Sequence, residues 1–351
     1  MSLTSTEHVD TGPADGPDAG TTPPGTAASP SSRLKGLAER NALLALLLAV
    51  IAFFAIYPES SDTFFTSSNA SVLLGNQSVV ALLALAVILP LVTGYFDFSL
   101  GAIAATSSVL TAGLMSFSDL SLGLAIAVGI GVGAGIGAIN GVLVTRFGLN
   151  SFVTTLGMAT LLGGLIQWYT GGQTILAGID PALPRFGSAT WLGLPRVVFV
   201  VLLATVALWY LLSQTPFGRS LYAIGSNPRS ARLVGVRVDR SVWTTFVLAG
   251  ALAGVTGVLQ LARAGSATAD NGTSLLFPAL AAAFLGATAV VPGFFNAVGT
   301  IIGVLFVSVA VSGLTLSGAS AWASPVFNGA ALLVAVGLSH YLGRHRGVGT
   351  G

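Results

Sequence analysis

The chain has 351 residues, of which 53% are hydrophobic and 7% charged, with a mean hydropathy of +0.86 and a formal net charge of +2. So little charge cannot cover the surface of a soluble domain, so the composition predicts a membrane protein and gives no sign of nucleic-acid binding. The chain has no cysteine, which excludes disulfides and thiolate chemistry, and we predict no cofactor and no metal site.

Residues 1–32 hold four acids, no Lys or Arg, and mostly Pro, Gly, Ser, Thr and Ala. They contain too little apolar surface to offset the entropy of ordering, so they predict a disordered cytoplasmic tail. The tail lacks the basic and apolar regions of a signal peptide. Arg33, Lys35 and Arg40 precede the first apolar run, which predicts that the N-terminus lies in the cytoplasm.

Ten apolar stretches follow, and most approach the length of about 20 residues that a helix needs to cross a bilayer. They predict an all-α polytopic membrane helix bundle, a transmembrane domain over 33–343, with a C-terminal tail over 344–351. The predicted spans are roughly 41–57, 70–92, 99–115, 121–144, 152–170, 194–213, 242–262, 275–291, 295–315 and 321–341. An even number of spans predicts a cytoplasmic C-terminus, and eleven of the fourteen Lys and Arg then fall on the cytoplasmic side.

One carboxylate stands between two predicted spans, in the stretch GYFDFSLG (94–101). Asp97 and Ser99 either satisfy backbone donors in a plain turn or belong to a broken helix that lines a substrate path. Both interpretations stay open. Amides within spans suit a path for hydroxyl-rich solutes and are equally typical of hydrogen bonds between helices; they are Asn76, Gln77, Asn140 and Gln167.

Glycines spaced by four mark one face of the stretch AVGIGVGAGIGAINGV (127–142). The face runs through Gly131, Gly135 and Ile139. Small residues at this spacing let two helix backbones approach closely in lipid, which predicts a packing surface.

The predicted cytoplasmic loop over residues 214–241 carries five of the thirteen arginines of this sparsely charged chain. Asn227 is a preferred N-cap, Pro228 fits the first helical position, and Gly235 fits the left-handed residue after a last turn. These residues predict a short capped helix over 228–234 that lies across the cytoplasmic mouth. Further residues of the loop that we expect to support it are Gly218, Arg219 and Gly225.

Arg229 and Arg232 share one face of this predicted helix, and Leu233 with Val234 offers an apolar knob. A capped helix with arginines around a knob suits docking into a groove of another protein. Basic loops also occur only to fix topology or to touch anionic lipid. Topology alone requires charge but neither caps nor a knob, so the pattern favours docking.

Four stretches of the sequence resemble motifs of one family of membrane proteins. The stretch TPFGRSLYAIGSNPRSARLVGV (215–236) resembles the coupling segment of the sugar-type ABC importer permeases, the family of the ribose, xylose and galactose permeases. We therefore call residues 214–241 the coupling loop. GYFDFSLGA (94–102) is similar to the family motif Gly-x-x-Asp-Leu-Ser-x-Gly, and two further stretches, 140–172 and LGATAVVPGFFNAVGTIIG (285–303), resemble its middle and late glycine-rich blocks. The likeness keeps order and spacing from about 41 to 343.

This resemblance implies a ten-span permease that passes a monosaccharide and works as a dimer with a second copy or a paralogue. It implies ABC ATPase subunits beneath the membrane and an extracytoplasmic solute-binding protein above it. The chain departs from the family pattern where Leu276, Phe277 and Pro278 replace two carboxylates, and where Phe294 and Phe295 occupy a turn that usually holds a basic residue. These departures predict a narrower and less polar path.

The chain is not predicted to be an enzyme. A phosphate-binding loop needs the pattern GxxxxGK[ST], and the only lysine, Lys35, lies in RLKGLAE, so energy must come from a partner. His8 and His345 lie in the tails and His340 at the end of the last span, which leaves no histidine for an intramembrane serine protease. The alternative is an ion- or proton-coupled secondary transporter with Asp97 as the coupling group, which would not need the capped helix.

Overall fold

The structure, a computed structural model, describes residues 30–268 and 272–346, with side chains over 41–268, 272 and 274–337. Within these residues it has fourteen helices and one two-stranded hairpin, which confirms the all-α fold. The elements are α1 (Pro30–Ile56), α2 (Ser61–Phe64), α3 (Ser67–Val92), α4 (Leu100–Ser118), α5 (Leu122–Thr145), α6 (Ser151–Thr170), α7 (Ala182–Ser188), β1 (Thr190–Trp191), β2 (Leu194–Pro195), α8 (Arg196–Gln214), α9 (Pro216–Ser226), α10 (Pro228–Leu233), α11 (Val238–Ala264), α12 (Thr273–Gly286), α13 (Ala297–Leu316) and α14 (Ala323–Arg346).

Ten of these helices coincide with the ten predicted spans. Within the described residues, seven helices are long and apolar enough to cross a membrane. Three shorter apolar helices lie in α1, α12 and α14. The prediction of a span over 275–291 was too long, because the 14 residues of α12 end at Gly286. At 1.5 Å per residue such a helix extends about 21 Å, less than the hydrocarbon core of about 30 Å.

The predicted tails differ at their inner edges. Helix α1 begins at Pro30, so residues 30–32 are helical, and α14 continues to Arg346, beyond the predicted end at 343. The rest of the predicted tails, 1–29 and 347–351, lies outside the described residues.

Two sets of four helices, α3 to α6 and α11 to α14, repeat one pattern of packing. In the first set α4 packs against α5 and α6, and in the second α12 packs against α13 and α14. Helix α11 also packs on α4 and α5, as α3 packs on α12 and α13. The start of α3 lies beside the end of α11, where Arg263 donates to Asn76 at 2.8 Å. The two halves therefore run in opposite directions, as in the inverted repeats of many transporters.

Helices α5 and α11 pack backbone against backbone through glycines, but not on the predicted face. A Cβ at Gly133 would lie 2.6 Å from the carbonyl oxygen of Gly250, whereas a Cβ at Gly131 or Gly135 would meet no atom within 4 Å. Ile139 is 53% exposed. The prediction was wrong by two residues, because glycines at every second position offer two faces with the same spacing of four.

Candidate functional site

The connection between α3 and α4, residues 93–99, is a buried turn that we call the first turn. Helix α3 gives way at Gly94, whose φ of 83° is left-handed and suits glycine. Asp97 Oδ1 then accepts hydrogen bonds from Ser99 N at 2.9 Å and Ser99 Oγ at 2.6 Å. Asn140 of α5 donates from Nδ2 to Ser99 Oγ at 2.8 Å. Three predicted site residues therefore form one buried network.

Most side-chain polar atoms of this network are used in hydrogen bonds within the network itself. Asp97 is 4% exposed, and Ser99 and Asn140 are fully buried. Within the described residues, Asp97 Oδ2 and Asn140 Oδ1 are buried without a hydrogen-bond partner. The interpretation as a structural turn accounts for both hydrogen bonds of Asp97 Oδ1. Only the buried Oδ2 atom remains for the interpretation as part of a substrate path.

We expect Asp97→Leu to lower the melting temperature of the purified protein and Asp97→Asn to preserve it. Leucine leaves two buried donors of Ser99 without an acceptor, at a cost of about 1–3 kcal/mol, whereas asparagine keeps the Oδ1 oxygen. The measurement is thermal unfolding followed by size-exclusion chromatography, with Asp62→Leu on the exposed surface of α2 as control. Wild-type stability of Asp97→Leu would contradict the structural role, and stable Asp97→Asn protein without uptake would place Asp97 in the path.

The other predicted path residues do not join this network. Asn76 lies on α3, where its Oδ1 accepts from Arg263 Nη2, and Arg263 Nη1 also donates to the carbonyl of Gly187 at 2.8 Å. Gln77 is half-buried beside it on α3, and Gln167 is exposed near the end of α6. Asn76 therefore helps to tie α3, α7 and α11 together at the end of the bundle remote from the coupling loop.

A second irregular connection, residues 287–296, joins α12 to α13, and we call it the second turn. Gly293 has a φ of 88°, close to the 83° of Gly94. Asn296 caps α13, since its Oδ1 accepts from Gly299 N at 2.7 Å while its Nδ2 donates to the carbonyl of Phe294 at 3.1 Å. The sequences GYFD and GFFN thus build turns with the same left-handed glycine and a side-chain cap.

A row of five phenylalanine rings, which we call the aromatic row, connects the two turns. Its successive ring centroids are 5.0 Å apart for Phe152 and Phe98, 6.2 Å for Phe98 and Phe96, 6.3 Å for Phe96 and Phe284, and 5.2 Å for Phe284 and Phe295. All four separations fall in the range of favourable aromatic pairs. The row links the start of α6 to both turns through α12.

The predicted capped helix of the coupling loop is present as α10. Asn227 Oδ1 accepts from the backbone N of Arg229 at 3.0 Å and of Ser230 at 3.1 Å, and Pro228 is the first helical residue. Gly235 follows with a φ of 87° and donates its N–H to the carbonyl of Arg232 at 3.0 Å. Helix α10 ends at Leu233, one residue earlier than predicted.

The outward face of α10 presents an apolar knob. Leu233 is 88% exposed and Val234 is 79% exposed. Arg229 is exposed beside them. Arg232 forms an ion pair with Asp239 at 2.6 Å, a pair that the sequence pattern did not predict. Such exposed pairs contribute about 0–1 kcal/mol, so this one orients Arg232 more than it stabilises the loop. The remaining arginines of the loop are exposed: Arg219, Arg237 and Arg240.

The inward face of α10 belongs to a buried cluster that the first turn also contacts. Ala231 is buried in a cluster with Ile224, Val144 and Phe246, and Tyr95 of the first turn packs against this cluster. The rings of Tyr95 and Phe246 are 6.5 Å apart in an edge-to-face arrangement. This cluster therefore connects α10 to the first turn.

Helix α9 contacts the second turn through a hydrogen bond. Tyr222 donates its hydroxyl to the carbonyl of Phe295 at 2.7 Å, and burial raises the pKa of Tyr222 to about 12, which keeps this donor protonated at neutral pH. Gly225 lies directly against the carbonyl of Val92 at the end of α3, and Gly218 against the end of α8, in both cases too close for a Cβ. Glycine is required at both positions by close backbone approach.

A cavity of about 390 Å³ lies where the coupling loop meets the two turns. Its lining includes Gly94 of the first turn, Gly293 and Phe294 of the second, and Tyr222 and Gly225 of α9. Among the described residues that line it, none is charged. The loop, the two turns and the cavity thus lie together at one end of the bundle.

A bundle of apolar helices with inverted halves, two broken turns and an exposed capped helix at one end defines the class of multi-pass membrane permeases. The sequence profile of one such family, described as branched-chain amino acid transport system / permease component, matches residues 69–336, and the chain belongs to that family. No solved structure matches the chain at a significant level.

Among named relatives, the ribose import permease protein of Escherichia coli strain K12 is 33% identical over 306 residues, covering 86% of this chain and 93% of that protein. The ribose import permease protein of Bacillus subtilis strain 168 is 37% identical over 294 residues, covering 84% and 90%. An autoinducer 2 import system permease protein of Photorhabdus laumondii is 29% identical over 297 residues, covering 85% and 89%. The resemblance to import permeases that the sequence motifs carry is therefore confirmed.

Proposed function

We propose that this chain is the permease subunit of an ABC importer in the bacterial cytoplasmic membrane and passes a monosaccharide-like solute. The observation that carries the proposal is the two-faced coupling loop. Its outer face exposes Leu233, Val234 and Arg229, and its inner face contributes Ala231 to the buried cluster against which Tyr95 of the first turn packs. A docked ATPase that moves this loop would move the turns with it.

A neutral polar solute fits this chain better than an amino acid does. The family description names branched-chain amino acids, while the relatives are named for ribose and autoinducer 2. A zwitterion leaving water would need a partner for each of its two charges. No charged side chain lines the cavity among the described residues. The ribose import permeases of Escherichia coli strain K12 and Bacillus subtilis strain 168, at 33% and 37% identity, support the same choice.

Three partners follow from this proposal. ABC ATPase subunits bind the coupling loop, an extracytoplasmic solute-binding protein delivers the solute at the opposite end, and a second copy or a paralogue completes a dimer. The chain itself hydrolyses no ATP, since its single lysine, Lys35, lies outside any phosphate-loop pattern.

Uptake into proteoliposomes tests the function. The chain is reconstituted with its cognate ATPase and binding protein, and radiolabelled ribose and leucine are offered in turn. We expect ATP-dependent uptake of ribose and none of leucine, and no vanadate-sensitive ATP hydrolysis by the chain alone. Leucine uptake would overturn the substrate class. Uptake by the chain alone, driven by an ion gradient, would favour the secondary transporter with Asp97 as the coupling group.

The proposed topology places both termini and the coupling loop in the cytoplasm. The chain has no native cysteine, so single cysteines report accessibility directly. We expect Ser230→Cys, exposed on α10, to resist an impermeant thiol reagent in intact cells and to react after lysis. Thr190→Cys in the hairpin serves as the matched outer position and should react in intact cells. Labelling of Ser230→Cys from outside would contradict the topology.

A further inference from the structure

The end of α8 that is remote from the coupling loop carries an apolar groove with one arginine at its edge. The groove has a volume of about 480 Å³, and Phe186, Trp191 and Leu203 belong to its lining together with Arg196, the first residue of α8. The Trp191 ring is 63% exposed and packs edge-on against Phe199, with ring centroids 5.8 Å apart. The groove is therefore apolar along its length and cationic at one end.

A second groove continues the first. It has a volume of about 380 Å³ and lies between α5, α7, α8 and α11, with Leu122, Ile126 and Ile130 on its α5 side. Phe186 and Val200 line both grooves, so the two meet there. Every residue that lines the second groove is apolar. The two apolar grooves thus meet near one cationic side chain, Arg196.

Arg196 has no ion pair within the described residues, and its side chain is exposed. Its backbone N–H donates to the carbonyl of Ala189 at 2.9 Å, which fixes the start of α8 beside the hairpin. The exposed indole of Trp191 is typical of the interface between lipid head groups and hydrocarbon. An arginine at this level is placed to bind a lipid phosphate.

We propose that these two grooves hold one phospholipid with an anionic head group. Arg196 binds the phosphate, one acyl chain lies along Phe199 and Leu203 of α8, and the other lies beside Leu122 and Ile126 of α5. A free phosphate would not use the grooves, and an uncharged apolar molecule would not use the arginine. The site goes beyond solute transport and belongs to the outer leaflet in the proposed topology.

Fluorescence quenching at Trp191 tests the site. A variant that keeps Trp191 and carries phenylalanine at the other four tryptophans is reconstituted in phosphatidylcholine vesicles containing brominated phosphatidylglycerol or brominated phosphatidylcholine. We expect phosphatidylglycerol to bind next to Trp191 with about fivefold preference, the effect of one basic side chain at a membrane surface. Arg196→Gln should remove the preference, and Arg185→Gln, an exposed arginine on α7 outside the groove lining, should keep it.

Native mass spectrometry of the chain with all five tryptophans provides a measurement that does not depend on the tryptophan replacements. We expect one retained phosphatidylglycerol in the wild type and in Arg185→Gln, and none in Arg196→Gln. Equal quenching by the two lipids, or an unchanged lipid count in Arg196→Gln, would overturn the proposal. Weakened docking of the binding protein in Arg196→Gln with unchanged lipid retention would assign this surface to that protein instead.

Discussion

Replacement of Leu233 and Val234 by aspartate is expected to abolish co-purification of the permease with its ATPase and to leave the permease folded. Both side chains are almost fully exposed, so their loss costs the isolated chain little. Apolar anchors at the centre of an interface commonly cost about 2 kcal/mol or more each when removed, and a buried aspartate costs more still. The measurement is a pull-down of the ATPase from detergent at moderate salt.

Controls within the same loop separate docking from charge. Arg237→Ala, beyond the stop at Gly235, should leave binding nearly intact because a peripheral charge contributes little. Arg232→Glu should act in part through the permease itself, since Arg232 is paired with Asp239 at 2.6 Å. If the double aspartate variant binds the ATPase as the wild type does, the loop serves only topology, and the secondary-transporter alternative gains.

The coupling loop was predictable from sequence because its signals are local. Asn227, Pro228 and Gly235 each fix the backbone within a few residues of themselves, and the helix they bracket is present at 228–233. The spans were predictable for a related reason, since the bilayer imposes a minimum apolar length on any helix that crosses it. The network of Asp97, Ser99 and Asn140 was only partly predictable, because Asn140 reaches it from another helix.

Features that depend on distant parts of the chain were missed or misplaced. The glycine face of α5 is selected by Gly250 of α11, more than a hundred residues away, and no periodicity within α5 contains that choice. The aromatic row joins α6, α12 and both turns, so no single window displays it. The likeness of GYFD at 94–97 to GFFN at 293–296 was interpreted as coincidence, because a repeat six spans apart would run parallel, but the structure places the two turns side by side around one cavity.

Replacement of Gly225 by valine is expected to abolish solute uptake while the ATPase still binds. A Cβ at Gly225 would collide with the backbone carbonyl of Val92, so valine must push α9 away from the end of α3. Overpacking of this kind costs about 1–3 kcal/mol, which as a coupling free energy corresponds to a change of about 5- to 150-fold. The docking knob at Leu233 faces outward and is untouched, so co-purification should persist.

The decisive comparison is between Gly225→Val and Ala223→Val, an exposed position on the same helix. Both variants are assayed for membrane level, ATPase co-purification, ATP hydrolysis by the complex and uptake of labelled ribose. Ala223→Val should match the wild type in all four, and Gly225→Val should lose uptake at normal membrane level and normal co-purification. Full uptake by Gly225→Val would show that the contact between α9 and α3 transmits nothing, and would confine coupling to Ala231 and to the hydrogen bond from Tyr222 to Phe295.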